Sequence, residues 1–156
     1  MSATNINESF ILFELAGATY ALRSADIQQL EMIGSVTRVP NAPDFIDGVV
    51  SVRGQVIPAL NLRARFGFPR QTADMRSRLI VVRTDGRSVG LVVDSAREFA
   101  AIKPEEIQPP PAGLADLSGD YLEGTAHLGD RLVLLLDVQR LIGMPNDVET
   151  PATTAG

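Results

Sequence analysis

The sequence predicts an all-β protein made of two small barrels or sandwiches rather than one open sheet. Two observations carry this. The first is an internal duplication. Residues 45–67, FIDGVVSVRGQVIPALNLRARFG, have an ungapped counterpart at residues 121–143, YLEGTAHLGDRLVLLLDVQRLIG. Phe45 aligns with Tyr121, Gly48 with Gly124, Leu60 with Leu136, Asn61 with Asp137 and Gly67 with Gly143. Upstream of each copy, residues 10–22 (FILFELAGATYAL) match residues 79–91 (LIVVRTDGRSVGL), with Gly17 over Gly86 and Leu22 over Leu91. A unit repeated at a fixed spacing is the mark of a duplicated architecture. The second observation is a chain of short apolar, β-prone runs separated by Gly and Pro, which leaves helix only at capped turns.

Taken in order, residues 10–15 and 19–22 read as a hairpin about an Ala16-Gly17 turn. Ser24, Ala25 and Asp26 cap one helical turn that leads into a strand carrying Ile27 and Leu30. Residues 36–39 read as a short strand, closed by an extended loop because Pro40 and Pro43 exclude a helix. In the next hairpin Val50 and Val52 share one face, and Arg53-Gly54 forms the turn, where glycine supplies a positive φ. Pro58 in the return strand implies an edge or a bulge. Asn61 is a good N-cap for residues 62–66, and Gly67 a good residue to end them. Residues 69–78 form a polar, arginine-rich linker. The second copy begins with strands at residues 79–82 and 88–94 about an Asp85-Gly86 turn, followed by a strand at residues 96–102. A turn at residues 103–106 and a long irregular loop follow. Residues 117–128 and 131–136 then form a hairpin about Gly129-Asp130. Asp137 caps residues 138–142, Gly143 stops them, and the rest is a polar tail.

The 156 residues are 45% hydrophobic and 21% charged, the composition of a globular chain. No apolar run approaches the ~20 residues of a membrane span, and the N-terminus carries no secretory signature. There is no cysteine, hence no disulfide framework or thiolate metal site. Residues 38–93 carry nine arginines against four acids, and residues 94–156 four basic groups against eleven acids. A basic face and an acidic face on one small protein point to protein partners or head-to-tail contacts more than to a uniform polyanion.

Signals for catalysis are sparse. His127 is the single histidine; no spacing singles out the hydroxyl and carboxylate that a triad would add. Phosphate loops and dinucleotide fingerprints are missing from the sequence. Aromatics are not interleaved with the arginines as a single-strand-binding barrel would need. A binding module is the better expectation. Arg53, fixed on a tight turn beside Gly54, can offer its guanidinium to a partner carboxylate. Ile27, Leu30, Val92 and Val93 would lie near a groove between packed barrels, a place for an amphipathic helix.

Residues 36–67 (VTRVPNAPDFIDGVVSVRGQVIPALNLRARFG), 89–111 (VGLVVDSAREFAAIKPEEIQPPP) and 121–142 (YLEGTAHLGDRLVLLLDVQRLI) together resemble the CheW family, the coupling proteins of bacterial chemosensory arrays. The resemblance covers nearly the whole chain. It implies two five-stranded SH3-like barrels within one CheW-like domain at residues 9–143. The first barrel would span about residues 20–75 and the second about residues 79–136, with the N- and C-terminal segments packing across and flexible tails at 1–8 and 144–156. It implies no catalysis, no cofactor and no metal. The implied activity is a cytoplasmic adaptor, recruited to membrane-associated receptor arrays. It couples the cytoplasmic tips of chemoreceptors (methyl-accepting chemotaxis proteins) to the regulatory domain of a CheA-type histidine kinase, and joins rings with other CheW-like proteins. Binding of nucleic acid and insertion into the membrane are not implied. A CheW-like adaptor of a pilus-motility or second-messenger pathway is the alternative. Carried over by position, the family's motif and partner-binding residues fall on Arg53, Gly54, Gly48, Gln29, Ile27, Val92, Val93 and Asp94, and Leu30 joins this partner-binding set from its own apolar position beside the groove. Gln29 replaces the family's common glutamate, Ser51 its usual asparagine before the Leu-Arg-Gly turn, and Asn61 its usual aspartate cap.

Overall fold

The computed structural model describes residues 8–111 and 121–142. The expected helix stop at Gly143, the C-terminal tail and the start of the strand expected from residue 117 lie outside them. Ten strands are present: β1 (Glu8–Leu15), β2 (Ala18–Arg23), β3 (Ile27–Glu31), β4 (Ile46–Val52), β5 (Gln55–Asn61), β6 (Arg78–Thr84), β7 (Arg87–Val93), β8 (Ser95–Ile102), β9 (Leu122–Leu128) and β10 (Arg131–Leu136). Helix is limited to α1 (Leu62–Arg65), α2 (Val138–Ile142) and single 3-10 turns at Ser24–Asp26 and Pro104–Glu106. The all-β expectation holds. Two five-stranded sheets form, ordered β8-β1-β2-β10-β9 and β3-β6-β7-β5-β4.

That order corrects the expected barrel boundaries. The barrels do not follow one another along the chain. Hairpin β1–β2 of the first copy lies in the sheet of β8, β9 and β10. Hairpin β6–β7 of the second copy lies in the sheet of β3, β4 and β5. The copies therefore exchange their leading hairpins. Each exchange is closed by a short parallel ladder, Thr19–Ala21 on Val133–Leu135 and Gly90–Val92 on Ala59–Asn61. The duplication extends to the irregularities: Asp47 and Glu123 are the extra residues of matching bulges, as are Gln28 and Arg97.

Alternation explains why the exchanged hairpins occupy sheet interiors. In β1, Phe10 and Leu12 enter a core with Ala21, Val133 and Leu135, whereas Ile11, Phe13 and Leu15 enter another. In β6, Leu79 and Val81 pack with Val50, Ile57 and Ala59, whereas Ile80 and Val82 face the other way. A strand buried on both faces reads as a continuous apolar run, as FILF and LIVV do. The inward sets give each barrel its own core. The remaining sets form one shared core between the barrels, with Leu60, Leu62, Leu91, Leu136 and Leu141.

Two local expectations change. The strand at residues 36–39 is reduced to one bridge, Thr37 to Val49, with backbone bonds of 2.9 and 2.8 Å. Pro58 is on an interior strand, not an edge. Its partner Val49 sends both backbone groups to Thr37, and the ladder from β5 to β7 begins only at Ala59. The absent N–H of Pro58 therefore falls where no ladder bond is required.

Candidate functional site

Arg53 (φ 52°) and Gly54 (φ 83°) form the β4–β5 turn. Two successive positive φ values define the tight turn that matches strand twist. The Arg53 side chain is 72% exposed, and its Nε donates to Glu31 Oε2 at 3.1 Å. The Gln29 amide fits this pair with its nitrogen 3.0 Å from Glu31 Oε2 and its oxygen 3.3 Å from Arg53 Nε. Strand β3 and the β4–β5 turn thus meet at one rim of the barrel. Among the described residues, the two terminal nitrogens of Arg53 have no partner. Such an exposed pair contributes only about 0–1 kcal/mol to folding. Elsewhere on the same barrel Leu30, Val56 and Met32 are exposed apolar residues.

The structure therefore brings together Arg53, Gly54 and Gln29, and adds Glu31; Leu30, between Gln29 and Glu31 on the strand, faces the opposite side with Ile80 and is not part of the group. Alternation could have found Glu31, since it lies two residues beyond Gln29 on the same strand face. Gly48 has a different task. At φ 148°, an added Cβ would lie 2.1 Å from the Thr37 carbonyl oxygen. Glycine is demanded there by the close approach of residues 37–38.

The second group divides. Ile27 is partly buried against the shared core, and Val92 partly buried against the core of its barrel. Val93 is 1% exposed and offers no surface, which corrects its placement in a binding groove. Successive strand residues face opposite sides, so Val92 and Val93 cannot both line one groove. Asp94 is held within the protein. Arg63 grips its carboxylate in two bonds of 2.9 and 2.7 Å, and the Ala16 N–H donates to Oδ2 at 2.9 Å. The Arg63 bonds, helped by the Ala16 N–H, hold the Asp94 carboxyl below its usual range. Asn61, Arg63, Asp74, Arg76, Val92 and Asp94 line a small polar cleft at this end of the barrel. Arg63 was not singled out by sequence reasoning; its aligned residue in the other copy is Gln139.

The repeat places an equivalent rim on the other barrel. Glu98, Phe99 and Leu132 occupy the positions of Gln29, Leu30 and Val56. Phe99 is 67% and Leu132 52% exposed, and Arg131 pairs with Glu98 through bonds of 2.8 and 3.1 Å. His127, exposed, sits opposite Leu132 on this hairpin.

The family described as CheW-like domain matches residues 9–145. The chain is similar to the chemotaxis protein CheW of Klebsiella aerogenes, 31% identical over 91% of this chain and 86% of that one. It is likewise similar to the chemotaxis protein CheW of Helicobacter pylori, 32% identical over 85% of this chain and 80% of that one. Among solved structures, the scaffolding protein TtCheW from Thermoanaerobacter tengcongensis superposes with a TM-score of 0.82 at 29% identity, covering 90% of this chain and 95% of that chain.

Proposed function

This chain belongs to the family of CheW-like domains, and from that membership we propose that it is a non-enzymatic adaptor coupling chemoreceptor signalling tips to a CheA-type histidine kinase. One observation supports the reading most. Arg53 projects from a turn that the second copy builds as Gly129-Asp130, without any arginine. Folding requires the turn and leaves the guanidinium available for a partner.

The kinase's regulatory domain docks on the rim of Arg53, Gln29 and Glu31. A carboxylate on that domain completes the bonds Arg53 leaves open. Neutral Gln29 lets Arg53 keep more of its positive field than a glutamate would. The helical tip of a receptor lies along the seam between barrels, near Ile27. Rings with other CheW-like proteins use the equivalent rim, where Phe99 and Leu132 flank the Glu98–Arg131 pair. Association with the membrane comes through the receptors, since no helix among the described residues is long and apolar enough to cross it. The chemotaxis names of the relatives favour this pathway over pilus motility or second-messenger control.

The test mixes purified protein with a receptor signalling fragment and the kinase, followed by size-exclusion chromatography and a phosphorylation assay. A ternary complex with altered kinase output is expected. Absence of binding to either partner contradicts the proposal.

A further inference from the structure

We propose that Arg65 is a positioning residue that pins the two barrels in the relation shaping the receptor-facing seam. The inference rests on the adaptor reading for what the seam binds, but not for the pin itself. The Arg65 guanidinium lies 4.8 Å from the Phe45 ring centroid and 4.5 Å from that of Tyr121. Nη1 donates to the Tyr121 hydroxyl at 2.6 Å. These aromatics are equivalent in the repeat, and each anchors a different barrel. The Phe45 carbonyl accepts the Asn61 N–H at 2.7 Å, and the Tyr121 carbonyl accepts the Asp137 N–H at 2.8 Å. One cation thus spans matching residues of the two halves.

The repeat separates this role from folding. The aligned residue on α2 is Leu141, fully buried in the shared core. Packing one of these short helices calls for an apolar residue at that site. In the first copy the site instead carries a charge whose Nε is buried without a hydrogen bond among the described residues. That cost is offset by attraction to two ring faces, which holds only while both rings keep their spacing. Phe45, Tyr121 and Ile27 all pack on the shared core, so the clamp and the seam residue rest on one foundation. Two residues earlier on α1, Arg63 reaches Asp94, which also receives the Ala16 N–H from the β1–β2 turn. A helix of four residues therefore reaches across to the exchanged hairpin and to Tyr121.

The chain has no cysteine, so Gln55→Cys and Asp130→Cys accept spin labels cleanly, one on each barrel, for a distance measurement by pulsed EPR. Arg65→Leu, which copies the other helix, is expected to broaden the distance distribution about twofold. It is also expected to weaken receptor-fragment binding about tenfold, with affinity for the kinase regulatory domain unchanged within about twofold. Arg65→Lys, which keeps a cation between the rings, is expected to restore most of both. An unchanged distribution in Arg65→Leu overturns the proposal, as does equal loss of both partners. If Arg65→Leu does not fold, Tyr121→Phe decides: it keeps the ring and loses the hydroxyl, so receptor binding about threefold weaker supports the pin and unchanged binding refutes it. A parent chain that binds no receptor fragment refutes the adaptor reading, and the EPR distances still decide the pin.

Discussion

Arg53 and Gly54 share one turn but answer to different demands. Gly54 meets a positive φ, and Arg53 tolerates one while offering its side chain to solvent. Gly48 shows the opposite balance. Its position in a family motif suggested a partner contact, yet the backbone of Thr37 occupies the space a side chain would need. Gly48→Ala is expected to destabilise the fold by about 3 kcal/mol or more, measured by urea unfolding. Asp94 gives a pH-dependent prediction. Its folded pKa is lowered from the ordinary 3.8 by Arg63 and the Ala16 N–H. The ionised form is therefore favoured by folding. The stabilisation is complete above the ordinary carboxylate range and is lost as pH falls through it and below. Asp94→Asn should lower the melting temperature at pH 7, and the gap from the parent chain should narrow at pH 3. A constant gap would contradict the Arg63 pairing.

At the scale of elements, local chemistry was legible where a single residue type settles a conformation. Asn61 was readable as a cap, and its Oδ1 accepts the Ala64 N–H at 3.0 Å while Nδ2 donates to Asp47 at the matching bulge. Asn61→Ala should cost about 1 kcal/mol in thermal unfolding. The Ala16-Gly17, Asp85-Gly86 and Gly129-Asp130 turns were readable for the same reason. Pro58 was not, because its setting depends on where the parallel ladder to β7 begins, a contact between distant segments. The strand expected at residues 36–39 was lost similarly: its apolar residues favour extended chain, but the fold offers Thr37 only one bridge to Val49. Of the site, the arginine on its turn was legible. Glu31 was within reach of strand alternation. Val93 was misplaced because motif carry-over ignores which way a side chain faces.

At the scale of the whole molecule, the duplication was visible and terminal segments were expected to pack across, but the exchange of whole hairpins was not legible. Placing β2 beside β5 or beside β10 buries the same alternating residues, so no local pattern distinguishes them. The exchange means that neither half contains a complete barrel. A chain ending at residue 76 lacks β6 and β7 from the sheet of β3, β4 and β5. It is expected to show no cooperative melting by circular dichroism, and a sharp transition would contradict that interdependence. The same arrangement explains how a small protein presents two related rims on a rigid body: three cores, one of them shared, stabilise what neither copy could bury alone. An adaptor has to hold one partner in fixed relation to another. Under the proposed function, Arg53 serves a partner and not the fold. Isothermal titration of the kinase regulatory domain into the parent chain and into Arg53→Ala tests it most directly, with melting temperatures measured in parallel. A binding loss of at least tenfold is expected, with melting temperatures within about 2 °C. Unchanged affinity, or an unfolded Arg53→Ala chain, would contradict it.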